Sequence, residues 1–141
     1  MKRNVILILI IVFSLVKVHA QENSVYNEKF TLTKDVSSVK PSKTSNPPKE
    51  DIIFGNPLHR SWILDTQENG VQFGVWEGTK GKWKFSVDNW EYCRILFGIS
   101  VITNEKGQSF TVKEGDSFVL HPGFSGTWEA LETTRKEFIV K

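Results

Sequence analysis

From Asp51 to the C-terminus glycine cuts the chain every few residues, and nearly every interval between the cuts has the make-up of one short β-strand. Gly70 and Gly74, Gly78 and Gly81, Gly107, Gly115 and Gly123 separate runs rich in Val, Ile, Phe, Trp and Thr. Those side chains fit a half-buried pleated surface. The runs 71–76, 82–87, 90–103, 109–113, 117–120, 127–131 and 135–140 are predicted strands. Asn104 to Gly107 reads as a hairpin loop, with Gly107 placed to take a positive φ after a type I turn. No window carries a helical apolar face over three turns, and residues 61–68 would tolerate a turn or two of helix at most. Short strands at even spacing with glycine turns predict an all-β sandwich, jelly roll or barrel.

The residues before Asp51 differ. Lys2 and Arg3 precede a mostly aliphatic run from Val5 to Val16, and Val18, His19 and Ala20 follow with small or apolar residues where a signal peptidase reads. That layout predicts a secretory signal peptide over residues 1–20. The apolar run would rise roughly 18 Å as a helix, short of the roughly 30 Å hydrocarbon core, which argues against an uncleaved anchor. No Cys follows Ala20, which argues against a lipoprotein anchor. A periplasmic or secreted location is expected, with no stable membrane anchor after cleavage. Residues 21–50 are rich in Ser, Lys, Thr, Asn and Pro and lack apolar period, so a flexible polar leader is expected. Within it, Phe30 to Thr33 could add an edge strand. The folded domain is assigned to residues 51–141.

Removing the export segment changes the charge. The whole chain has 18 basic and 16 acidic side chains, and the segment takes Lys2, Arg3 and Lys17 with it, leaving 15 against 16. A near-neutral chain without a basic stripe has no electrostatic footprint for phosphate backbones, so nucleic acid is not an expected partner. Cys93 is the only cysteine, so no intrachain disulfide can form and stability must come from a packed core. All five Trp lie between Trp62 and Trp128, which locates that core.

Three stretches stand in a recognisable order: Trp90 to Gly98 with its Glu91, the loop Asn104 to Gly107, and Glu114 to Gly123 with Gly115, Asp116, Pro122 and Gly123. This resembles the two-motif signature of cupins, in which an acidic residue stands seven before a Gly and a Gly-Asp strand ends in a Pro-Gly turn. Glu91 and Cys93, then Phe124, Gly126 and Trp128, then Arg135 and Lys136 are similar to one branch. That branch contains the cupin domain of (S)-ureidoglycine aminohydrolase and the ethanolamine-utilisation cupins. The resemblance covers roughly residues 61–141 and implies a cupin double-stranded β-helix, a jelly-roll barrel whose interior holds side chains or one small ligand.

The cupin motif also implies metal-binding histidines, and these are missing. Counting back from Glu91 places a histidine pair near Lys84 and Ser86, or Phe85 and Val87, and counting forward from Gly123 places a third at Gly126. His59 and His121 are both off-register. A three-histidine, one-carboxylate site is therefore not expected, and no cofactor is predicted. An unusual site through Glu91, Cys93 or His121 remains the route for a transition metal.

Strand alternation puts Glu91, Cys93, Ile95 and Phe97 on one face and Tyr92, Arg94 and Leu96 on the other. The resemblance turns the Glu91 face inward and points Trp128 into the barrel. Glu91 is then either a rim carboxylate held by hydrogen bonds or a pocket group, a general acid or base or a grip on a cationic or amide substrate. Apolar walls from Trp128 and Phe97 would favour its neutral form. Cys93 reads as an inert buried thiol unless a base or cation adjoins it. Trp76, Trp83 and Trp90 recur every seven residues, a spacing without facial meaning in strands, although Trp90 could form a stacking wall at the mouth. Lys136 is either a surface charge or a counter-charge near the pocket. The candidate pocket is thus Trp90, Glu91, Cys93, Trp128 and Lys136, with Glu91 the catalytic candidate. Two functions stay open: a binding module for a small molecule, and an enzyme on a small nitrogenous or carbonyl compound. Sheet-to-sheet pairing into a homodimer is allowed and not required.

Overall fold

The computed structural model describes residues 24–27, 30–33 and 35–141, with backbone alone for 24–27. The signal-peptide reading of residues 1–20 lies outside them. The strands are β1 (Ser24–Asn27), β2 (Phe30–Thr33), β3 (Lys43–Ser45), β4 (Ile52–Gly55), β5 (His59–Thr66), β6 (Gln72–Gly78) and β7 (Gly81–Val87). They continue with β8 (Glu91–Phe97), β9 (Ile99–Asn104), β10 (Ser109–Lys113), β11 (Ser117–Leu120), β12 (Phe124–Ala130) and β13 (Thr134–Val140). A five-stranded sheet runs β10-β9-β12-β7-β4 and a six-stranded sheet β11-β8-β13-β6-β5-β3, antiparallel throughout. β12 pairs with β7 and β9, and β13 with β6 and β8. These long-range pairings roll the two sheets into the expected all-β jelly-roll barrel.

The core lies between the sheets. Trp83, Ile95, Ile102, Val112, Trp128 and Ala130 form one buried cluster, with Trp76, Phe85, Phe118 and Phe124 packed against it. Cross-strand neighbours on one face of an antiparallel pair touch, and Trp128 stands directly opposite Trp83 on one side and Ile102 on the other.

Four expectations need correction. Residues 61–68 form no helix, because their backbone pairs with β6 along most of β5. The run 90–103 is two strands, broken at Gly98, whose φ is +86° and where a Cβ would run into the Thr133 carbonyl oxygen. Phe97 does not face inward. A bulge in the β13–β8 register sets Lys136 opposite Ile95 but Arg135 opposite Phe97, and the extra residue turns Phe97 outward.

The fourth correction concerns the leader. β3 pairs with β5, and Val36 is buried with Trp62 and Val75 on the outer face of the six-stranded sheet, flanked by Val39, Leu64 and Leu96. The Trp62 indole donates to the Val39 carbonyl at 2.9 Å. A few apolar residues at the right places suffice to hold a polar segment against a sheet, which average composition conceals. β2 does form a strand, which among the described residues pairs with β1.

Candidate functional site

Between the sheets lies a cavity of about 290 Å³. The six-stranded sheet lines it with His59, Ser61, Trp76, Glu91 and Lys136, and the five-stranded sheet with Trp83, Phe85 and Trp128. The register explains the assembly. Ser61, Trp76, Lys136 and Ile95 stand in one inward row across β5, β6, β13 and β8. Cys93 and Glu91 follow at alternate positions along β8.

Lys136 is the centre. Its Nζ donates to Glu91 Oε1 at 2.7 Å and to Cys93 Sγ at 3.1 Å, and lies 5.6 Å from the Trp76 ring centroid and 5.3 Å from that of Trp128. Burial by itself would discharge the ammonium, but the coulombic pull of Cys93 and Glu91 and the hydrogen bonds they accept outweigh it. Its pKa lies above the ordinary lysine value. Glu91 is therefore ion-paired, and its nearest neighbour is an ammonium, not the hydrocarbon wall expected to favour a neutral acid. Glu91 Oε2 receives no hydrogen bond among the described residues.

Burial pushes the Cys93 thiol up to about 11, with Lys136 opposing and Glu91 adding to the rise. Cys93 has a cation beside it after all, yet it is fully buried, absent from the cavity wall and no nucleophile at neutral pH. Trp128 points inward as expected, and its Nε1 donates to Ser100 Oγ at 3.0 Å, which in turn donates to Thr134 Oγ1 at 2.8 Å. Trp90 does not belong to the site: it is 40% exposed and off the cavity wall.

The sequence reading missed His59, Trp76, Trp83 and Phe85 as wall residues. His59 stacks 4.6 Å from Trp83 and 5.0 Å from Trp76, centroid to centroid. Its Nε2 is buried without a partner. Burial, then the charge of Lys136, lowers its pKa to about 4, so the imidazole is neutral at physiological pH. Alternation along β5 could have found it, had residues 61–68 been read as strand.

The residues do not fit the histidine-bound metal that cupins imply. Phe85 fills one of the expected histidine positions and packs on Phe124 and Trp128. Lys84 and Ser86 are exposed. At Gly126 the β9 backbone leaves no space for any side chain, since a Cβ would run into the Thr103 carbonyl oxygen. His121 is exposed in the turn after β11. Among the described residues, no three His, Cys, Asp or Glu side chains converge.

No curated protein matches the chain. Among solved structures, it is similar to a DUF861-family protein of unknown function from Pseudomonas syringae pv. tomato, at 25% identity and TM-score 0.69, covering 81% of this chain and 49% of that one. The chain thus spans about half the length of that relative. A protein described as ethanolamine utilization protein Q from Salmonella typhimurium is 18% identical with a TM-score of 0.64 over 83% of this chain and 90% of that one. EutQ of Clostridium difficile is 15% identical with a TM-score of 0.62 over 84% and 94%. At those identities the last two speak for the fold alone. The description of the EutQ-like cupin domain matches residues 66–138, more than half of the sequence. With its rolled sheets and inward Glu91, the chain belongs to the EutQ-like cupin domain family.

Proposed function

We propose that this cupin-domain protein is exported and holds a small molecule in its barrel, without a histidine-bound metal. The observation that carries the reading is His59 Nε2, buried without a partner, near Glu91 Oε2, which accepts no hydrogen bond among the described residues, at a cavity otherwise lined mainly by aromatic and aliphatic side chains. Buried polar groups find partners in the great majority of cases, so the bare His59 Nε2, with the solvent-reached Glu91 carboxylate beside it, favours a ligand that supplies one. Thermal shifts of wild type and Glu91→Gln against a metabolite library test it. Equal shifts in the two proteins count against Glu91 as the main polar contact. Mass spectrometry of co-purified small molecules identifies the ligand directly, and N-terminal sequencing of the mature protein, expected to begin at Gln21, tests export. Sheet-to-sheet pairing is a further part of this reading, with exposed Phe110 and Val119 as the apolar residues available for it; sedimentation reads the mass.

The second reading is an enzyme on a small nitrogenous or carbonyl compound, similar to (S)-ureidoglycine aminohydrolase, with Glu91 as general acid or base. The solvent-reached carboxylate, 16% exposed in its side chain, supports it. A stoichiometric transition metal after purification would favour the enzyme. A metal-free barrel carrying a metabolite would favour the binding protein.

A further inference from the structure

The two walls of the cavity have unlike chemistry. The five-stranded sheet presents Trp83, Phe85 and Trp128, all hydrocarbon or π-face, and the Trp128 indole N–H is already spent on Ser100. The six-stranded sheet adds Trp76, Leu120, Phe138 and Val140 but also presents Lys136, Glu91 and His59, each with hydrogen-bonding capacity left. Lys136 has used two of its three N–H donors on Glu91 and Cys93. Glu91 Oε2 is an acceptor, and His59 Nε2 is unpartnered.

Charge narrows the occupant. Lys136 and Glu91 cancel each other at 2.7 Å, and the place where a cationic ligand would lie over the indoles is taken by Lys136 itself, 5.3 Å and 5.6 Å from two of them. A cation would meet a like charge there, and an anion would find Lys136, the one cation lining the cavity among the described residues, already paired. Either would bring an uncompensated charge among apolar walls, which is costly.

Spacing narrows it further. Glu91, Lys136 and His59 come from β8, β13 and β5, and β6 lies between the last two. The backbones of β8 and β5 are thus about 14 Å apart. A single amide can engage Lys136 and Glu91, which lie 2.7 Å apart, but His59 stands two strands beyond Lys136. A ring carrying hydroxyls around its rim reaches them all, as donor and as acceptor, while its C–H face lies on the opposite wall. At about 290 Å³ the cavity sits at the bottom of the usual range for ligand pockets, roughly 300–1,000 Å³, which suits one ring and not a chain of them.

We propose that the ligand is an uncharged polyhydroxylated ring, a monosaccharide or cyclitol, stacked on the Trp83–Trp128 wall and hydrogen-bonded to Lys136, Glu91 and His59. The proposal rests on the pocket reading above and deepens it. The test is titration of the mature chain, followed by tryptophan emission and by ligand-observed NMR. The neutral probes are D-glucose, D-galactose, D-mannose and myo-inositol, the charged ones D-glucuronate and D-glucosamine, and the amides acetamide and hydantoin.

At least one neutral ring binds saturably, and the charged sugars bind about tenfold more weakly or less well still. Glu91→Gln and His59→Phe each weaken the neutral ring by about tenfold, and a melting curve for each variant confirms that it folds. Saturable binding of only charged or amide probes, lost in those variants, overturns the ligand class and leaves the pocket standing. Sugar binding indifferent to both substitutions overturns the site. No binding by any probe overturns the ligand class and the pocket together.

Discussion

Two ion-pair clusters sit back to back on β13, one residue apart. Arg135 faces outward in a row with Arg60, Glu77 and Phe97, while Lys136 faces inward in a row with Ser61, Trp76 and Ile95. In the outer cluster Glu77 accepts from Arg60 at 2.7 Å and from Arg135 at 2.8 and 3.1 Å, so both carboxylate oxygens are used. Arg135 lies over Trp62 and Phe97 and donates to Ser37, on the segment that covers this face. The inner cluster is incomplete, with His59 Nε2 buried and bare and Glu91 Oε2 accepting no hydrogen bond among the described residues. The same strand thus carries a saturated network, which holds the covering segment in place, and an unsaturated one, which presents leftover hydrogen-bonding capacity to a cavity. Saturation, not burial or charge, separates the structural cluster from the candidate site.

The contrast can be broken most directly at Glu77. Glu77→Ala leaves two guanidinium groups without their carboxylate, and urea denaturation should show a loss of about 3–5 kcal/mol with ligand binding by the folded protein unchanged. A loss below about 1 kcal/mol, the worth of an exposed pair, would dissolve the distinction. Lys136→Met should cost about 3 kcal/mol by stranding the Glu91 carboxylate. Adding Glu91→Gln to it should recover most of that loss, which a double-mutant cycle reads. Val36→Ala should cost about 2 kcal/mol through lost burial under the covering segment, again without effect at the cavity.

Acid gives a smaller and more selective probe. His59 has a folded pKa of about 4 against 6.5 unfolded, so the unfolded chain takes up the proton first as pH falls. Its contribution is complete above about 6.5, is lost as pH drops towards about 4, and loses no more below that. Carboxylate pairs also fail in acid, so the expected result is a difference: stability of His59→Phe falls less than that of wild type between those limits. The smallest effect is at Cys93. Cys93→Ala removes one acceptor from Lys136 and should cost about 1 kcal/mol, and thiol labelling of the native protein at pH 8 should proceed only as fast as the chain opens.

Much of the barrel was legible because strand alternation is local. Residues 109–113 and 117–120 were delimited as they stand; parity grouped Glu91, Cys93 and Ile95 on one face of β8, and the resemblance to cupins turned that face and Trp128 inward. The bulge ended that reach. One extra residue turned Phe97 to the outside, and nothing in the local pattern announces which strand pair will carry it. His59 escaped because β5 looked helix-tolerant in isolation, while its pairing with β6 decided the matter. The covering segment escaped because Val36 and Val39 are two valines in a polar stretch, and only the sheet beneath gives them a partner.

By itself the sequence determined that the chain is a series of short strands with glycine turns, that Glu91, Cys93 and Ile95 share one face, and that no histidine stands at the positions where the cupin motif it resembles would hold a metal. Those are properties of neighbours in the chain, of period two and of residue identity. Only the tertiary structure decided that Lys136 joins Glu91 and Cys93, that His59 enters the cavity with a bare nitrogen and that Trp90 does not. Each of these depends on which strands lie side by side and in what register, a choice made by the packing of two whole sheets and carried by no single stretch of residues.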